Sequence, residues 1–110
     1  MGENSGSLVQ GTLDMLILKT LALEPMHGYG IAQRIEQISG GVFHVNPGSL
    51  FPAFRRLERS GWIKPVWKPT ENNRNAKYYA MTERGRKQLK SETEEWGRQS
   101  AAITRILESC

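Results

Sequence analysis

A chain of 110 residues supports one domain with a modest core. A composition 38% hydrophobic and 24% charged excludes a disordered tail and a membrane protein. The net charge of +4 is concentrated: residues 1–46 carry two cations against four carboxylates, whereas residues 47–77 carry seven against two.

A cation excess confined to the middle third points to a polyanionic partner, the alternative being a solvated basic surface. The longest apolar run, MLILKTLAL, is interrupted by Lys19 and is too short to span a bilayer. The front, MGENSGS, lacks the cationic segment of a secretory signal, and the single Cys110 can form no internal disulfide. Both favour the cytoplasm.

Residues 1–7 are polar and Gly-rich, an arm expected to fray. Leu8 to Leu23 is predicted helical. Leu13, Leu16, Ile17 and Leu21 make one apolar face, and Met15, Leu18 and Ala22 make another opposite it. A helix apolar all round must be buried all round. A domain this small cannot enclose one helix alone, so a partner chain is expected over Leu13, Met15 and Leu18.

Glu24-Pro25 ends that helix. In HGYGIAQRIEQISGG, Ile31, Ile35 and Ile38 form a second helical stripe that Gly40-Gly41 closes. VFHV, 42–45, is a short strand or an extended link. A third helix carries Leu50, Phe54 and Leu57 and stops at Gly61. WIKPVW, 62–67, and AKYYAM, 76–81, read as strands joined by the turn-forming KPTENNRN.

The last segment is helical from about Thr82, a plausible N-cap. Its Leu89, Thr93, Trp96, Ser100, Ile103 and Leu107 alternate at four and three, a seam suited to a second copy. Three helices followed by a hairpin is the order of a winged helix-turn-helix. The expected class is therefore mainly α (α+β). It comprises a winged helix over 8–81 and a C-terminal dimerisation helix over 82–110.

The third helix holds the sharpest signal. With Leu50, Phe54 and Leu57 inward, Gly48, Pro52, Arg55 and Arg59 fall on the opposite side, flanked by Phe51 and Arg56. Asn46 as cap puts Pro47 at the first helical position, where its missing N–H costs nothing. Ser49 as cap puts Pro52 in the first turn instead, and the sequence leaves both open. Either way Gly48 and Ser49 leave a small tip through which backbone N–H groups approach a phosphate. Arg55, a turn further in, can reach a guanine edge or a phosphate. Lys68, Arg74 and Lys77 on the hairpin suit the DNA backbone or minor groove. Glu58 and Arg59 suit a surface ion pair.

The segments GTLDMLILKTL, HGYGIAQRI, NPGSLFPAFRRLERSGWI and KYYAMTERGRKQL together resemble the PadR family of bacterial transcriptional regulators, over roughly residues 8–90. The resemblance implies a homodimer that binds double-stranded operator DNA, usually as a repressor, and so associates with the bacterial nucleoid. It also implies that the C-terminal helix packs against the partner subunit beside the first helix. The family usually has tyrosine where this chain has Phe51, which lacks the hydroxyl that bonds DNA backbone. Gly30 stands where a larger polar residue is common, and the single tail helix resembles the short-tailed branch. Some members bind flat aromatic or cationic compounds between subunits. Trp96, with Met15, is the candidate to stack on such a small aromatic effector, the alternative for Trp96 being plain packing.

His27 and His44 are far apart and, with one Cys, leave no zinc set. His27 suits a turn or cap. Tyr29 either packs under the second helix or offers its hydroxyl to phosphate. Of Tyr78 and Tyr79, one should be core and the other exposed. Trp62 and Trp67 should anchor the wing to the body, the alternative being that they stack on bases. No phosphate loop and no activated nucleophile is present; Ser49 in Gly-Ser-Leu lacks the nucleophile-elbow pattern. No cofactor and no enzyme activity are expected. The alternative to DNA binding is a winged helix used as a protein-interaction module.

Overall fold

The computed structural model describes residues 12–110. The expected N-terminal arm, and residues 8–11 of the expected first helix, lie outside them. The elements run α1 (Leu13–Leu21), α2 (Gly28–Ile38), α3 (Pro47–Arg59), β1 (Ile63–Pro69), β2 (Asn75–Met81) and α4 (Glu83–Glu108). Helices dominate, with one small antiparallel sheet, and the order is that of a winged helix.

In α1, Ile17, Leu18 and Leu21 are buried, while Leu13, Met15 and Leu16 are half-buried. Leu18 corrects an expectation. Placed at a subunit contact from the sequence, it is 0% exposed inside its own chain. The reason is topological: α2, α3, β2 and the start of α4 all touch α1, so one chain covers much of both faces.

His27 caps α2, its Nδ1 accepting the Gly30 N–H at 3.1 Å. At the other end Gly41 N–H donates to Glu36 O and Gly40 N–H to Gln37 O, both glycines at positive φ. That double bond is the Schellman closure that a glycine pair permits. Ile31 and Ile35 are buried, but Ile38, the last helical residue, is 72% exposed, so the stripe ends one turn early. Residues 42–45 form a link, not a strand, with Phe43 and Val45 packed on the core.

Asn46 is the cap of α3. Its side chain accepts the Ser49 N–H at 3.0 Å, and Pro47 opens the helix. Pro52 therefore lies inside the helix and has no N–H for the Gly48 carbonyl. Asn46→Ala should lower stability by about 1 kcal/mol in urea unfolding. Asn46→Asp, which keeps the accepting oxygen, should preserve most of that stability. Leu50, Ala53, Phe54 and Leu57 form the buried face. Gly61, at φ +78, ends the helix with its N–H on Glu58 O, while Trp62 N–H reaches Leu57 O.

The strands pair antiparallel from Ile63↔Met81 to Pro69↔Asn75. A further pairing was not anticipated: Met26 exchanges both backbone bonds with Tyr79, at 3.1 and 2.8 Å. It fastens the hairpin base to the start of α2. Tyr79 is buried, its ring 4.4 Å from that of Phe54, while Tyr78 stays half-buried against His27. The sheet thus presses the core face of α3 and leaves the opposite face of that helix open.

Thr82 joins sheet to α4. Its N–H donates to Trp62 O, its hydroxyl donates to Gly61 O, and its Oγ1 accepts the Gly85 N–H. Leu89 still packs on the core. Beyond it the helix runs outward, with Trp96, Ile103, Ile106 and Leu107 exposed, the last at 78%. Arg98, through a hydrogen bond and its charge, holds the Glu95 carboxyl below the usual carboxylate range.

Candidate nucleic-acid interface

The open face of α3 begins at a tip of Gly48 and Ser49, both exposed. A first-turn amide such as that of Gly48 has no intrahelical acceptor. A Cβ on Gly48 would come within 3.0 Å of the Asn46 Oδ1 that makes the cap. Phe51 is partly anchored, edge-on to Phe54 at 5.9 Å, and is otherwise exposed; Pro52 beside it is half-buried. Arg55 is exposed and makes no ion pair among the described residues.

Arg56 behaves differently from its neighbour. Its Nη2 lies 2.7 Å from Asp14 Oδ1, so the guanidinium is turned toward α1 and away from the open face. The sequence reading grouped it with the DNA contacts; in this structure it links two helices. Glu58 likewise does not pair with Arg59. It takes Lys77 of β2 at 3.8 Å, and the same Nζ lies 5.1 Å from the centroid of Tyr79. Lys77 therefore braces the wing against α3 and is only partly available to a phosphate.

The Nζ of the exposed Lys68 sits 5.1 Å from the centroid of the Tyr78 ring, and Arg74 is exposed at the wing tip. The tip folds as a turn in which Asn73 takes φ +60 and the Thr70 N–H meets Arg74 O. Tyr29, in the first turn of α2, is 67% exposed, which removes the option that it packs beneath the helix. Trp62 packs on the core as expected, but Trp67 is 61% exposed and anchors nothing.

On α3 and the wing, Arg55, Lys68 and Arg74 thus have no carboxylate partner among the described residues, whereas Arg56 and Lys77 are partly neutralised by Asp14 and Glu58. None of this chemistry needs a metal, and no cluster of three or more His, Cys, Asp or Glu among the described residues could hold one. No described helix is long and apolar enough to cross a membrane.

Residues 17–91 match the profile of the PadR-like family of transcriptional regulators. A transcriptional regulator from Clostridium thermocellum is 30% identical and superposes with a TM-score of 0.82, over 90% of this chain and 96% of its own. A PadR-like transcriptional regulator from Bacillus cereus is 25% identical with a TM-score of 0.79, over 92% and 96%. A protein of Lysinibacillus sphaericus is 27% identical over 101 residues, 92% of this chain and 93% of its own.

Proposed function

We propose that this chain, which belongs to the PadR-like family of transcriptional regulators, is a homodimeric repressor that reads an inverted-repeat operator. The observation that carries the proposal is Arg55: exposed and without an ion pair among the described residues, it stands nearly two turns behind a Gly48-Ser49 tip on a helix whose other face, Leu50, Ala53, Phe54 and Leu57, is buried in the core. In a major groove the tip amides meet phosphate and the guanidinium meets a base edge. Asn46, Phe51 and Pro52 shape the approach. Lys68, Arg74 and the exposed Tyr29 hydroxyl hold the flanking backbone. Phe51 contributes its ring but no hydrogen bond.

A winged helix over 8–81 then acts as the reading unit and 82–110 as the pairing unit. The second copy covers the exposed seam of α4, Trp96, Ile103 and Leu107 with the half-buried Ser100, and the half-buried Leu13 and Met15 of α1. Leu89, although on the same seam, serves mainly its own core. Burying that apolar strip is the driving force for association. An exposed Trp96 on the seam suits a small aromatic effector that stacks there beside Met15 and alters the spacing of the two reading helices.

Two-fold symmetry places the half-sites about one helical turn apart. Footprinting on DNA upstream of its own coding sequence should show two symmetric protected segments; a single asymmetric one would overturn the dimeric arrangement. Arg55→Ala should weaken operator binding by about 1–3 kcal/mol and relax the preference at one base-pair position. Competition titration against operator variants reads both.

A further inference from the structure

Trp67 is unexplained by the fold. It is the most exposed of the aromatic residues on the wing, and the core does not use it. Its direction follows from the strand register. Side chains alternate across a sheet, and directly paired residues share a face. Trp67 pairs with Lys77, and Pro65, two residues back, pairs with Tyr79. Tyr79 lies on Phe54 of α3, and Lys77 reaches Glu58 of α3. Trp67 therefore lies on the α3-facing side of the wing, one step beyond the part that α3 covers.

We infer that Trp67 is a DNA-contact residue, its indole packing on the deoxyribose-phosphate backbone where the strand passes between α3 and the wing. The inference rests on the proposed DNA-binding reading. Charge selects the occupant. Lys68 is next in sequence, Lys77 is opposite, and Arg74 is exposed at the tip of the same hairpin. Of these, Lys77 shares the face of the indole but is held by Glu58, and Lys68 stands on the reverse face over Tyr78. An exposed indole on a hairpin with this cation excess suits a polyanion with apolar sugar edges better than an apolar protein surface. The ring supplies a large rigid contact at low conformational cost, and Nε1–H supplies one donor for a phosphate oxygen. The lysines supply attraction at a distance; the indole supplies a fixed contact that fixes how deeply the wing sits.

The test uses the full chain and a labelled duplex recovered by the wild-type protein from a random pool, with affinity measured over a salt series. Trp67→Ala should weaken binding about tenfold, the upper range of one aromatic contact, with the salt slope unchanged because no charge is removed. Trp67→Phe should recover most of the loss. The thermal unfolding midpoint should hold, since the side chain is exposed. Unchanged affinity for Trp67→Ala while Arg55→Ala weakens binding would overturn the inference and leave the DNA-binding reading intact. So would a flattened slope equal to that of Lys68→Ala, or a change confined to dimer dissociation. Failure of the wild-type protein to retain any duplex would overturn both.

Discussion

Gly85→Ala is expected to lower the unfolding free energy by about 3 kcal/mol, the upper end of what overpacking costs. At an exposed helix position the same change stabilises by about 1 kcal/mol, through helix propensity. Here the sign reverses. A Cβ on Gly85 would lie 2.1 Å from the Trp62 carbonyl oxygen and 2.9 Å from Met81 Cγ. The side chain of Met81 can move, but the carbonyl is pinned. Trp62 O accepts the Thr82 N–H at 3.0 Å, and Trp62 N–H is held by Leu57 O at 3.0 Å. Thr82 is held in turn by its hydroxyl on Gly61 O at 2.6 Å. To admit one methyl group, α4 must back away from the end of α3 and the base of the wing together. Urea unfolding of Gly85→Ala beside Gly97→Ala isolates the effect, because Gly97 is in the same helix with nothing within 4 Å. Gly97→Ala should gain up to about 1 kcal/mol from propensity. Equal stabilities for the two variants would show that the joint at Trp62 is looser than its bonds imply.

The same joint shows where the sequence is legible. Thr82 as cap, Gly61 as helix stop and the glycine pair after α2 are local signals, each read from residue type and offset, and each is present. The buried stripe of α3 is equally local. The cap of α3 stayed open in the sequence because Asn46 and Ser49 are both good caps. What selects Asn46 is the extended approach of the chain, with Phe43 and Val45 packed on the core. Gly85 gave no signal at all: its constraint comes from a carbonyl more than twenty residues earlier.

Long-range partners account for the remaining differences. Periodicity showed that α1 is apolar all round. It could not tell whether the second cover was the start of α4 of the same chain or another molecule, and Leu18 is the residue on which that distinction falls. The Met26–Tyr79 bridge is a single residue pair and so carries no pattern. Arg56 and Lys77 were indistinguishable from Arg55 and Lys68 by composition. Asp14 and Glu58 separate them, and neither carboxylate announces its partner in the sequence. The candidate site was thus legible as a face, while the division of its cations into free and tied was not.

That division fixes how binding should respond to salt. Each cation set against a duplex phosphate contributes a slope of about −0.9 to log affinity against log salt. If all of Arg55, Arg56, Lys68, Arg74 and Lys77 acted, ten contacts per dimer would give a slope of about −9. With Arg56 on Asp14 and Lys77 on Glu58, three contacts per subunit remain and the expected slope is about −5. From 50 to 200 mM salt, affinity should then fall roughly 10³-fold, against roughly 10⁵-fold in the other case. Fluorescence anisotropy of a labelled operator across that range separates the two. Asp14→Asn supplies the internal check. It removes the carboxylate that turns Arg56 toward α1, so the slope should steepen by about 1.8 per dimer as the guanidinium becomes free for phosphate. An unaltered slope in Asp14→Asn would mean that Arg56 is out of reach of the duplex even when released, and a wild-type slope near zero would remove the polyanion from the account altogether.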